Sequence, residues 1–128
     1  MGQPQEVSDR KANFPVLRAS IGEATNPTAT TVMADLGALN DNAGGTGTYE
    51  ALVVASATAL AEFSIQLRNA NNSGNVGVEH IFYVTANSAT AIPFRFTVEL
   101  NQRLRVVMNA NLTGDAVVNL QAQKVADL

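Results

Sequence analysis

The chain has a single histidine, His80, and no cysteine. A Ser-His-Asp triad needs a histidine to take the serine proton. His80 stands beside Glu79 at the start of an apolar run, and no G-x-S-x-G elbow accompanies it. It reads as a surface or turn residue. One His without Cys excludes the usual zinc sets. Asn40, Asp41 and Asn42 could offer oxygens to calcium, but the ligand ladder and bidentate Glu of an EF-hand are missing, and the same residues make a plain turn. Glu50, Glu62, Glu79 and Glu99 could supply a glycosidase carboxylate pair. Their scatter selects no pair, and a solvated face or an intersubunit ion pair accounts for them better. The run Ala43-Gly44-Gly45-Thr46-Gly47 lacks the Lys of a phosphate-binding loop. Asn71 and Asn111 begin N-x-S/T triplets, which a chain with 13 Asn produces by chance. Sugar platforms are limited to Tyr49 and Tyr83, since Trp is absent. The expectation is a chain with no catalytic residues, no metal and no cofactor.

Arginines remain as the residues with something to bind. Arg95 lies in one alternating run and Arg103 and Arg105 in the next, separated by a short connection at Asn101-Gln102. A tight turn there would place all three on one outward face, with Arg18 and Arg68 as additions. Such a face serves solubility, or it pairs with acids of a neighbouring subunit. Arg10, Lys11 and Phe14 join Arg95, Arg103 and Arg105 as candidate interface residues. Nucleic acid is not expected as a partner: the net charge is −3, and Lys and Arg are not clustered densely enough to neutralise phosphates.

These side chains need elements to hold them. At 128 residues a single domain with one ordinary core is expected. Charged residues are only 15% of the chain, which argues against disorder. No apolar run approaches 18 residues, so no membrane-spanning helix is expected, and the polar N-terminus shows no signal peptide. Residues 1–13 are polar and aperiodic and read as an extended N-terminal arm, laid on a neighbouring subunit or on its own domain. Residues 14–128 form the domain.

Within it the period is two. Phe63, Ile65 and Leu67 alternate with Ser64, Gln66 and Arg68. Ile92, Phe94, Phe96, Val98 and Leu100 point inward, with Pro93, Arg95, Thr97 and Glu99 outward. Leu104, Val106 and Met108 alternate with Arg103, Arg105 and Val107, and Val118, Leu120 and Ala122 with Asn119, Gln121 and Gln123. Further strands are expected over 14–21, 31–39, 49–55 and 80–85. A turn or short helix follows 55, and turns or loops cover 23–31, 40–47, 69–75, 87–90 and 111–115. About eight short strands with regular turn signals make an all-β antiparallel sandwich or jelly roll.

The closing third resembles a known group. Residues 86–100, ANSATAIPFRFTVEL, run into NQRLRV at 101–106, and NANLTGDAVVNL follows at 109–120. This stretch is similar to the final strands of small jelly-roll virion proteins of tailed bacteriophages, the head decoration (cement) proteins. The resemblance implies a structural protein of the outer capsid surface, made in the host bacterial cytoplasm. It implies a homotrimer that contacts the major capsid protein and clamps adjacent capsomers, with no catalytic step. A recognition module, using the loops 40–48 and 69–75 as a head fibre or a receptor- or glycan-binding domain, is the alternative.

Overall fold

The structure, a computed structural model, describes residues 18–39, 46–69, 74, 79–99 and 102–127. Among the described residues there are eight antiparallel strands: β1 (Arg18–Thr25), β2 (Val32–Ala38), β3 (Gly47–Ala57), β4 (Ala61–Asn69), β5 (His80–Val84), β6 (Ser88–Val98), β7 (Gln102–Met108) and β8 (Asp115–Ala126). They form two four-stranded sheets, sheet A in the order β1-β8-β3-β6 and sheet B in the order β2-β7-β4-β5. The fold is a jelly-roll sandwich. No helix of the described residues is long and apolar enough to cross a membrane. The proposed arm, residues 1–13, and Phe14 lie outside the described residues.

Alternation explains which side chains fill the space between the sheets. On β3, Tyr49, Ala51, Val53, Ala55 and Ala57 are buried, and on β8 Ala116, Val118, Leu120 and Ala122 are. Phe63 and Ile65 from β4 and Leu104, Val106 and Met108 from β7 meet them from sheet B. The alanines of β3 and β8 leave room for larger side chains of the core, which lets the layers interdigitate. Tyr49 is the largest fully buried side chain among the described residues; its ring stacks on Phe96 at 5.3 Å and its hydroxyl donates to Leu39 O at 3.3 Å. Burial pushes the phenol's pKa above its ordinary value, partly offset by the Arg18 charge.

Several boundaries differ from the sequence reading. β1 runs on to Thr25, where a turn was expected from residue 23, because every residue to Thr25 pairs with β8. β3 extends to Ala57 with no helix after it, its Ala-rich end held between β6 and β8. Tertiary pairing overrides the helix preference of alanine there. β6 begins at Ser88, inside the expected turn, since Ser88 to Thr90 pair with β3. Asn87, at φ 56, takes the left-handed corner just before it.

One end of the sandwich is tied by side chains bonding to backbone. Asn26 exchanges two bonds with Gly114, Asn26 N–H to Gly114 O at 2.7 Å and Gly114 N–H to Asn26 Oδ1 at 2.8 Å. Asn111 Oδ1 accepts from Ala29 N–H at 2.7 Å, and Thr58 Oγ1 from Asp115 N–H at 2.8 Å. The two sheets also close on each other where β1 passes β2. A Cβ built on Gly22 would lie 1.7 Å from Met33 O, so only glycine fits.

Candidate interaction faces

Only one chain connection, from β4 to β5, stays within a sheet; each of the others crosses from one sheet to the other. That topology decides where the arginines go. β6 pairs with β3 in sheet A and β7 pairs with β2 and β4 in sheet B. Arg95 therefore does not share a face with Arg103 and Arg105, which corrects the sequence expectation. The connection after β6 is a crossover between layers and not a hairpin. Arg10, Lys11 and Phe14 lie outside the described residues.

Arg95 is on the outer face of sheet A and bonds Glu50 Oε1 through Nε at 3.0 Å and Nη2 at 2.6 Å. This pair is well exposed, with side chains 70% and 50% accessible. Arg18 instead donates to Leu36 O at 2.7 Å and links the edges of the two sheets.

The register sets out the rest of the sheet A face. Ile21 lies across from Asn119, Asn119 from Val54, and Val54 from Ala91. The next row is Ala19, Gln121, Leu52 and Pro93, and on the other side lie Glu23, Val117, Ser56 and Ala89. Ile21 is 69% exposed and Val117 is also exposed. The centre of this face carries no charge. Pro93 sits on β6, an edge strand, where its missing N–H costs no ladder bond.

The sheet B face is different in kind. Its rows are Val32, Val107, Ser64 and Ile81, then Asp35, Arg105 and Gln66, then Arg103 and Arg68. Arg103 Nη2 bonds Asp35 Oδ2 at 3.0 Å, and Arg105 Nε bonds Gln66 Oε1 at 2.8 Å. Gln66 Nε2 in turn donates to Glu79 Oε2 at 2.6 Å. Tyr83 is 59% exposed, in register with Glu62, whose Oε2 accepts from Asn109 Nδ2. Three buried side-chain polar atoms of the described residues have no hydrogen-bond partner: Ser64 Oγ, Arg103 Nε and Asn119 Oδ1. All three belong to outward positions of the two sheets, not to the core.

The remaining candidates are dispersed. Glu50 is on sheet A, while Glu62 and Glu79 face outward from sheet B with separate amide partners, so no carboxylate pair forms among them. His80 stacks beside Phe82 at 6.4 Å and lines a cleft between the sheets. That cleft has a volume of about 560 Å³ and is lined by Ile65, Leu67, Phe94, Phe96 and Leu104. It opens because β5 has five residues and β6 has eleven, which leaves the inner side of β6 half-covered. Gln102, on its rim, already accepts from Glu99 N–H. No group of three or more His, Asp or Glu suited to a metal occurs among the described residues. Asn40 to Asn42 and Asn71 lie outside them, and Asn111 is spent on its turn. The sequence reading missed Asp35 and the apolar sheet A rows; Gln66 was visible as an outward residue, without a partner.

No protein-family model and no curated protein matches the chain. Solved structures do. The chain is similar to the globular domain of a zebrafish complement 1qA protein at 11% identity and TM-score 0.56, over 90% of this chain and 99% of that one. It is similar to the C-terminal family 22 carbohydrate-binding module of Clostridium thermocellum Xyn10B at 15% identity and TM-score 0.57, over 89% and 86%. The xylan-binding domain of Paenibacillus barcinonensis Xyn10C aligns at 14% identity and TM-score 0.54, over 88% and 84%. At these identities the likeness is one of fold.

Proposed function

We propose that the protein is a structural subunit of a bacteriophage particle. It assembles with copies of itself, as a homotrimer, through the outer face of sheet A. It binds the major capsid protein on the outside of the shell, bridges capsomers and stabilises the head. The observation that supports this most is the uncharged centre of the sheet A face, where exposed Ile21 and Val117 and half-buried Leu52 and Val54 surround Asn119. Uncharged surface with exposed apolar side chains suits an interaction site, and small, stiff side chains lose little entropy when covered. The resemblance of residues 86–120 to head decoration proteins supports the shell as the partner. This reading assigns the chain no catalytic step.

The test uses heads that lack the protein. Added wild-type protein is expected to occupy them and to raise the temperature at which they rupture. Val54→Asp, which sets a charge in the middle of the face, is expected to bind poorly and protect little. Heads left unoccupied by the wild type, or occupied equally by the variant, would overturn the reading.

A second reading is glycan recognition by the outer face of sheet B. Exposed Tyr83 and the Gln66–Glu79 hydrogen bond favour it, and two of the similar structures are carbohydrate-binding domains. Binding on a glycan array that disappears in Tyr83→Ala would establish it.

A further inference from the structure

Sheet B gathers three arginines on its outer face. Arg103 and Arg105 alternate on β7, and Arg68 lies directly across from Arg103 on β4. Like charges opposite one another destabilise a sheet. The acids of this face are Asp35, Glu62 and Glu79, and all three are engaged, Glu62 with Asn109. Asp35 Oδ1 accepts from Gly37 N–H at 2.8 Å and Oδ2 from Arg103, while Glu79 accepts from Gln66.

Arg105 stands apart. Its Nε donates to Gln66 Oε1, and it makes no other hydrogen bond among the described residues. Neither terminal amino group of this half-buried side chain has a hydrogen-bond partner among the described residues. Burial holds its pKa below the ordinary arginine value; Arg68 and Arg103 add to that and Asp35 opposes it. Two Nη donors in one plane match the two oxygens of a carboxylate.

We propose that Arg105, with Arg103 beside it, binds a carboxylate of an acidic polypeptide segment on the surface to which the protein attaches. The proposal rests on the attachment reading above. A polypeptide fits better than a sugar acid because the next row of the face ends in two exposed apolar side chains, Val32 and Ile81. Side chains of a protein partner cover such a row, whereas sugar hydroxyls would be desolvated against it. The incoming charge also relieves the repulsion among the guanidiniums.

The whole chain carries −3, so general electrostatic attraction to a polyanion is absent and capture requires a local site. The experiment titrates the full chain with poly-L-glutamate and, separately, polygalacturonate. Poly-L-glutamate is expected to bind and to weaken with added salt. Arg105→Gln should bind at least about tenfold more weakly, and Arg105→Lys should recover only part, since lysine offers a point charge without the fork. The Tm of Arg105→Gln should hold or rise, because a repelled charge is removed; an arginine kept only for the fold would lower it. No binding of poly-L-glutamate by the wild type, or equal binding by Arg105→Gln, overturns the proposal. Binding of polygalacturonate alone overturns it in favour of the glycan reading. Solution mass of the same samples reads the sheet A assembly independently, so failure of the site and failure of the attachment reading are distinguishable.

Discussion

The outer faces of the two sheets follow the same alternation and expose opposite chemistry. On the central strands of sheet A the outward side chains are Leu52, Val54 and Ser56 beside Val117, Asn119 and Gln121. On those of sheet B they are Ser64, Gln66 and Arg68 beside Val107, Arg105 and Arg103. One face is flat and uncharged at its centre; the other is a row of guanidiniums and amides. Covering the first removes apolar area from water and is nearly indifferent to charge. Covering the second requires a partner that answers each charge, which confers specificity more than affinity. On the proposed reading, the first face joins copies of the chain and the second meets a chemically defined partner.

The comparison breaks most completely where the sheets are held together. Gly22→Ala drives a methyl into the Met33 carbonyl, and a loss of about 3 kcal/mol or outright misfolding is expected, read by urea denaturation. Both faces lose their binding together in that variant.

A smaller effect separates the faces from the core. The Tyr49 phenol ionises at about pH 10 in the unfolded chain but at higher pH in the fold. Its stabilising contribution is therefore complete below about pH 10 and is lost as the pH rises through the folded value. Wild-type Tm is expected to fall more steeply than that of Tyr49→Phe above pH 10, with the variant about 1 kcal/mol less stable at neutral pH for its missing hydrogen bond. Parallel Tm profiles would contradict this.

The smallest effect concerns the exposed Arg95–Glu50 pair on sheet A. Arg95→Gln should change folding stability by less than about 0.5 kcal/mol, because solvent screens a pair so open. A larger loss in thermal melts would show that charge supports the sheet A side as well.

Much of this was legible in the sequence. Period-two runs located the strands, since a half-buried strand must alternate, and Ile92, Phe94, Phe96 and Val98 point inward as their spacing requires. Asparagine and glycine marked the turns, and Asn26, Asn111 and Gly114 indeed bond loop backbone. Alternation states which residues face outward but not from which sheet. Arg95 and Arg103 are eight residues apart in sequence yet sit on opposite sides of the core. Asp35 and Gln66 reach β7 from two different strands, and no local pattern brings them together. The apolar sheet A face was equally hidden, because Ile21 and Leu52 each read locally as a strand residue.

The central claim is that sheet A's outer face joins copies of the chain, and light scattering of the wild type and Val54→Asp tests it most directly. The account predicts a wild-type mass near three times 13.4 kDa and a variant at the mass of one chain with an unchanged Tm. A wild type that stays at one chain's mass at every concentration, or a variant that assembles as well as the wild type, would contradict it.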